Sequence, residues 1–235
     1  MTSPSRCRPR VSLVTGLLPR PYLCLVTDRS AVGDDTKEMV QRVTQAVLGG
    51  VDLVQVREKD LPAGELLQLT QSLLESVGGR AKLIVNDRAD IALVARAHGV
   101  QLGEEGLPVA AAREIIGNGG LIGRSVHSVA AATQAQDDGA DFLIVGTMFA
   151  SRSHPGKTPT GPGLMQEILS KCKLPLIGIG GIIPENASVV IQAGASGVAV
   201  ISHILAASDP RAAASELKEA ICEAWSMYGN QASVE

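Results

Sequence analysis

The chain has 235 residues, 45% of them hydrophobic but only 2% aromatic, and a formal net charge of −3. That length suits one large domain with an aliphatic core. The charge and the shortage of aromatics exclude a basic, base-stacking nucleic-acid surface, and no apolar run approaches the roughly 20 residues of a membrane span.

Residues 1–20 carry Arg6, Arg8, Arg10 and Arg20 and no acidic residue. They read as a disordered basic tail, because the apolar stretch 11–18 is too short and too broken for a secretory signal. Residues 21–235 are expected to form the folded domain. Cys7, Cys24, Cys172 and Cys222 form no C-x-x-C pair. Buried reduced thiols of a cytoplasmic protein fit them better than a disulfide framework or a zinc site.

From residue 22 onward, short aliphatic runs alternate with amphipathic stretches, the pattern of repeated βα units. The predicted strands are 22–27, 52–56, 82–86, 100–102, 121–123, 142–146, 175–178 and 197–201. Between the first two, Asp35 or Thr36 can cap a helix on which Met39, Val40, Val43 and Val47 share a face. Gly49-Gly50 stops it. A weak internal repeat supports the count: Gly50-Val51-Asp52, Gly99-Val100, Gly139-Ala140-Asp141 and Gly194-Ala195-Ser196 each run straight into an even-numbered strand. Four double units close a barrel of eight, so the expected fold is a single (β/α)8 TIM barrel. Functional groups in such a barrel lie just beyond the C-terminal strand ends.

At the end of the second strand comes Gln55-Val56-Arg57-Glu58-Lys59. Alternation puts Gln55, Arg57 and Lys59 on one side, where an amide and two cations suit a polyphosphate. The competing reading is a solvated loop in which Arg57 and Lys59 pair with Glu58 and Asp60. At the end of the third strand, Asn86 suits a heterocycle, and Asp87 suits either Mg2+ or the N-cap of a helix over 88–97. Taken alone, the cap is the simpler reading. After the fifth strand, Ser125 and His127 are two apart and can both face the mouth. After the sixth, Ser151, Ser153, His154 and Lys157 belong to a polar segment suited to phosphate binding or a lid. After the seventh and eighth, Gly180 and Gly181 allow close approach of backbone N–H groups to an anion, and Ser202 adds a hydroxyl.

In order, Gln55-x-Arg57-x-Lys59, Asn86-Asp87, Gly123-x-Ser125-x-His127, Gly178-Ile179-Gly180-Gly181 and Val200-Ile201-Ser202 resemble the thiamine-phosphate synthase family. The resemblance runs from Tyr22 to the last helix. It implies a transferase joining a pyrimidine diphosphate to a thiazole phosphate, with release of pyrophosphate and Mg2+ as cofactor. It also implies that Gln55, Arg57, Lys59 and Asn86 bind the pyrimidine diphosphate and that Asp87 holds the metal. Ser125 would contact a phosphate or the reacting pyrimidine, and Gly181, Ile201 and Ser202 the thiazole phosphate. Two departures stand out. Gly106 occupies the place of the family's second acidic ligand, leaving Glu105 or Glu104 as substitutes. His154 stands where a lysine follows the two hydroxyls.

The segment 123–128, with Gln101 and the altered loop, also resembles the sister thiazole tautomerases, in which a histidine matching His127 moves protons. The complete diphosphate set Gln55, Arg57, Lys59, Asn86 and Asp87 favours the synthase, since a tautomerase has no diphosphate to bind. A phosphate-sensing regulator and a phosphosugar isomerase are the remaining readings of such a barrel. The expected partners are small-molecule substrates, with neither nucleic acid nor membrane; a homo-oligomer is left open.

Overall fold

The computed structural model describes residues 20–150 and 159–228. The tail, Cys7 and the polar segment with Ser151, Ser153, His154 and Lys157 lie outside them, apart from Arg20. Eight parallel strands, β1 (Tyr22–Val26), β2 (Leu53–Val56), β3 (Lys82–Asn86), β4 (Gly99–Leu102), β5 (Leu121–Val126), β6 (Phe142–Gly146), β7 (Leu176–Ile179) and β8 (Gly197–Val200), close in chain order into a barrel. The last strand pairs with the first, Tyr22 opposite Gly197. Outside lie α1 (Thr36–Leu48), α2 (Ala63–Val77), α3 (Ala89–Ala95), α4 (Val109–Ile116), α5 (Val129–Asp137), α6 (Gly161–Leu169), α7 (Pro184–Gln192) and α9 (Pro210–Tyr228), with a short α8 (Ser202–Leu205) following β8. No helix among the described residues is long and apolar enough to cross a membrane.

The expected strands all appear, β3 and β6 with the ends expected and the others with shifted ends. The largest shift is β5, which runs on through Val126 because its side chains still alternate between the barrel axis and the helices. Ser125 is therefore a strand residue. Asp35, not Thr36, caps α1, accepting from Lys37 N and Glu38 N at 2.8 and 3.2 Å. Ala46 joins Met39, Val43 and Val47 on its buried face, while Val40 is half-buried.

Period-two alternation sorts the strands into two cores. Leu23 and Leu25 point outward to the helices, while Tyr22, Cys24 and Val26 point inward beside Leu53, Ile84, Phe142, Ile144, Ile177 and Ala199. The thiols of Cys24 and Cys172 are buried, and burial pushes both up from the ordinary range. Near the mouth the interior divides. β2 to β5 contribute Gln55, Asn86, Gln101 and Ser125, whereas β1, β6, β7 and β8 contribute Val26, Ile144, Ile179 and Ala199.

At the opposite end, the residues just before β2, β4 and β6 each offer a side-chain acceptor to an amide of the preceding odd strand. Asp52 Oδ2 accepts from Leu23 N at 2.8 Å, His98 Nδ1 from Leu83 N at 3.0 Å, and Asp141 Oδ2 from Ile122 N at 2.7 Å. Two of the acceptors also hold a cation from an outer helix: Lys218 of α9 on Asp52 at 2.7 Å and Arg113 of α4 on Asp141 at 2.8 Å.

Candidate active site

The C-terminal strand ends surround a cavity of about 1110 Å3. Gln55, Arg57, Lys59, Asn86, Asp87, Glu105, Ser125, His127, Gly180, Gly181, Ile201 and Ser202 all line it. One mouth thus collects every site residue expected from the sequence that falls within the described residues.

On the polar side, hydrogen bonds run from strand to strand. Gln55 Nε2 donates to Asn86 Oδ1 and Asn86 Nδ2 to Asp87 Oδ2, both at 2.8 Å. Gly103 N donates to Asp87 Oδ1 at 2.7 Å. Asp87 is consequently not the N-cap that its sequence setting suggested. Its backbone is left-handed, with φ 55°, whereas a cap takes extended geometry and bonds its own helix. Arg88 precedes α3 instead, without a side-chain cap bond. The helix is also shorter than the expected 88–97.

Glu58 and Asp60 do not pair with Arg57 and Lys59. Glu58 is turned away and buried, accepting from Thr27 Oγ1 at 2.6 Å and Arg29 N at 3.1 Å. Asp60 binds Arg29 Nη2. The side chains of Arg57 and Lys59 have no carboxylate partner among the described residues, so both cations are available to the cavity. Burial raises the Glu58 carboxyl above the usual range, opposed by its bonds to Thr27 and Arg29.

Beyond β4, Arg124 fixes the turn by donating to the carbonyls of Glu104 and Leu107 at 2.9 and 3.0 Å. Glu104 Oε1 lies 2.9 Å from His127 Nδ1 and is thereby engaged, while Glu105 is exposed on the rim. Gly106 sits directly against the Asp87 carboxylate, where a Cβ would strike Oδ1. Gly123 similarly leaves room for the amide of Gln101 and the ring of Phe142. Gln101 Nε2 donates to Ser125 Oγ at 3.1 Å from beneath the mouth.

On the other side, the turn after β7 adopts φ 107° at Gly180 and 62° at Gly181. A side chain at Gly181 would stand 2.5 Å from Ala150 O, so both conformation and space require glycine. Asn186 of α7 ties this turn down: its Nδ2 donates to Gly181 O at 3.0 Å and its Oδ1 accepts from Ile183 N at 2.9 Å. His203 lines the cavity beyond Ser202. Burial lowers its pKa, opposed by Glu185 and Glu216.

Arg29, Arg124, Asn186 and His203 are absent from the residues singled out in the sequence. Arg29 follows the first strand within Thr27-Asp28-Arg29, the location where functional groups are expected, and Asn186 lies three residues after Ile183 in a helix-start pattern.

Comparison with known proteins matches residues 23–204 to the family model described as thiamine monophosphate synthase. A thiamine-phosphate synthase of Haloquadratum walsbyi is 42% identical over 204 residues, covering 85% of this chain and 90% of that protein. One from Moorella thermoacetica is 42% identical, covering 85% and 95%. The solved thiamine phosphate pyrophosphorylase of Pyrococcus furiosus superposes with a TM-score of 0.78 at 35% identity, covering 87% of this chain and 96% of that one.

Proposed function

The chain belongs to the thiamine monophosphate synthase family, a family of transferases, and on that premise we propose how its mouth divides the work. The reaction condenses 4-amino-2-methyl-5-(diphosphooxymethyl)pyrimidine with thiazole phosphate, giving thiamine phosphate and pyrophosphate. The observation that carries the assignment of the halves is the polar run Gln55–Asn86–Asp87 beside two cations without carboxylate partners.

Gln55 and Asn86 orient the pyrimidine, and Arg57 and Lys59 take the diphosphate. Gly180, Gly181, Ile201 and Ser202 take the monophosphate of the thiazole. Ser151, Ser153 and His154 are proposed substrate contacts from the sequence alone. The bond from the pyrimidine methylene carbon to the bridging diphosphate oxygen breaks, and pyrophosphate leaves with the electron pair. Arg57 and Lys59 neutralise the growing charge, a contribution that counts most in a site shielded from water. Ser125, supported from below by Gln101, donates toward a phosphate oxygen. The thiazole nitrogen then donates its lone pair to the methylene carbon, forming the C–N bond. Holding the two rings in line removes much of the entropic cost of that encounter. His127, braced by Glu104, stands at the rim and can hold a proton near the reacting groups.

The residues also fit Mg2+. Each Asp87 oxygen accepts one N–H, leaving lone pairs for a cation that keeps several waters and takes one or two carboxylates plus substrate phosphates. Asp87 would hold it, with Glu105 the second carboxylate at hand; when bound, it supplies charge neutralisation to the leaving diphosphate. Buried thiols at Cys24 and Cys172 suit the reducing cytoplasm, where we place the enzyme.

Purified protein given both substrates and Mg2+ should release pyrophosphate and form thiamine phosphate in equal amounts. No product above a protein-free control overturns the assignment. Isomerisation of a thiazole phosphate without coupling would support the tautomerase instead.

A further inference from the structure

The strip Arg57-Glu58-Lys59-Asp60 alternates cation and anion, so left to itself it would sum to no charge. In the fold it presents two cations to the mouth and neither anion. What separates them is one residue from another loop.

Arg29 lies in the 3-10 turn Arg29–Val32 that follows β1. Its backbone N donates to Glu58 Oε2 at 3.1 Å, its Nε stands 3.3 Å from the same oxygen, and its Nη2 lies 2.5 Å from Asp60 Oδ2. Thr27 completes the arrangement: Oγ1 donates to Glu58 Oε1 at 2.6 Å and accepts from Arg57 N at 2.9 Å. Glu58 cannot swing out, because its side chain is only 3% exposed, whereas Asp60 is 71% exposed and is restrained by Arg29. We propose that Arg29 is a positioning residue for the diphosphate site: it holds Glu58 and Asp60 away from Arg57 and Lys59, and so keeps both cations free for a diphosphate. Arg29 touches no substrate; it acts through the charges beside it. The inference rests on the diphosphate reading given above.

The test is calorimetric titration of the full chain with pyrophosphate and Mg2+. Arg29→Gln frees Asp60 to compete for Lys59 and should weaken pyrophosphate binding about two- to fivefold, the scale of exposed charge pairs, with the deficit shrinking as salt screens them. Asp60→Asn added to Arg29→Gln should recover most of that loss, while Asp60→Asn alone leaves affinity within about 1.5-fold of wild type. A merely structural arginine would give no such recovery, since removing a second charge repairs no packing. Should Arg29→Gln fail to fold around an unpaired Glu58, Arg29→Gln with Glu58→Gln keeps the acceptor for Thr27 and removes the buried charge; its affinity is then compared with and without Asp60→Asn. Wild-type affinity in the arginine variant, or no recovery from Asp60→Asn in either background, overturns the inference alone. Failure of the wild-type protein to bind pyrophosphate overturns the diphosphate reading and this inference with it.

Discussion

Asp87 turns the corner after β3 with a left-handed backbone, and its carboxylate spans two neighbouring segments by accepting from Asn86 Nδ2 and Gly103 N. Those two donors aim it at the mouth. Asp87→Asn keeps the shape but replaces one oxygen with a donor that cannot bind a cation and opposes Gly103 N or Asn86 Nδ2. The expected outcome is a loss in kcat of about 10^2- to 10^3-fold, the scale of removing one electrostatic stabiliser, with the Mg2+ requirement shifted to higher concentration. Steady-state rates across a Mg2+ titration check it; an unchanged Mg2+ midpoint would remove Asp87 from the metal site. His98 is a residue of the other end. Its Nδ1 accepts from Leu83 N, so protonation there breaks a bond. Burial, with help from the Lys82 charge, holds its pKa below the ordinary imidazole range. A depressed pKa contributes stability that is complete above the unfolded value of about 6.5 and is lost as pH falls through the folded one. Thermal unfolding should show the wild-type protein losing stability relative to His98→Asn as pH drops below about 6.5, and parallel profiles would refute the role.

At the scale of elements, the loop after β7 depends on a residue of the helix that follows it. Asn186 bonds Gly181 O and Ile183 N, fixing a turn whose glycines have positive φ. Asn186→Ala leaves that turn with two unmade bonds and more freedom. KM for the thiazole phosphate should rise about tenfold, the usual scale for supporting groups around a site, while KM for the pyrimidine diphosphate holds. Equal changes in both would mean that the loop serves the whole mouth. Elements of this kind also show what pattern can and cannot reveal. Alternation along β2 correctly separated Gln55, Arg57 and Lys59 from Glu58, because a period of two is a local property. It could not find the partners of Glu58, which come from the end of the neighbouring strand β1 and the turn after it. Nor could it tell that β5 continues past Gly123, since Arg124 and Ser125 interrupt the apolar signal although their backbone still pairs with Leu143 and Ile144. Taken alone, Asp87 read more simply as a cap for a related reason: a capping carboxylate and one turned into the mouth look the same in sequence, and it is the left-handed backbone that excludes the cap.

Across the whole molecule the two ends of the barrel divide stability from chemistry. The acceptors Asp52, His98 and Asp141 stitch odd strands to even ones at the closed end, and Lys218 draws the terminal helix α9 onto the first two strands. Lys218 Nζ reaches both Asp52 Oδ2 and Pro21 O at 2.7 Å. Removing it strands a carboxylate whose burial already raises its pKa and which Lys218 opposes most directly. Lys218→Met should therefore cost about 2 to 3 kcal/mol at neutral pH, less than a fully buried pair because both groups keep some exposure. The sign of the pH dependence follows. With the folded pKa of Asp52 raised further, the protonated form carries the stability, which is present below the unfolded value of about 3.9 and is lost as pH rises. The penalty should be smallest near pH 4 and grow toward neutrality, as read by denaturant titration at several pH values. Because the mouth lies at the other end of the strands, kcat and both KM values at 25 °C should stay within about twofold of wild type, as expected of sites without shared partners. A variant that kept its stability but lost activity would show that the closed end is coupled to the site, and that a barrel this size does not separate the two tasks.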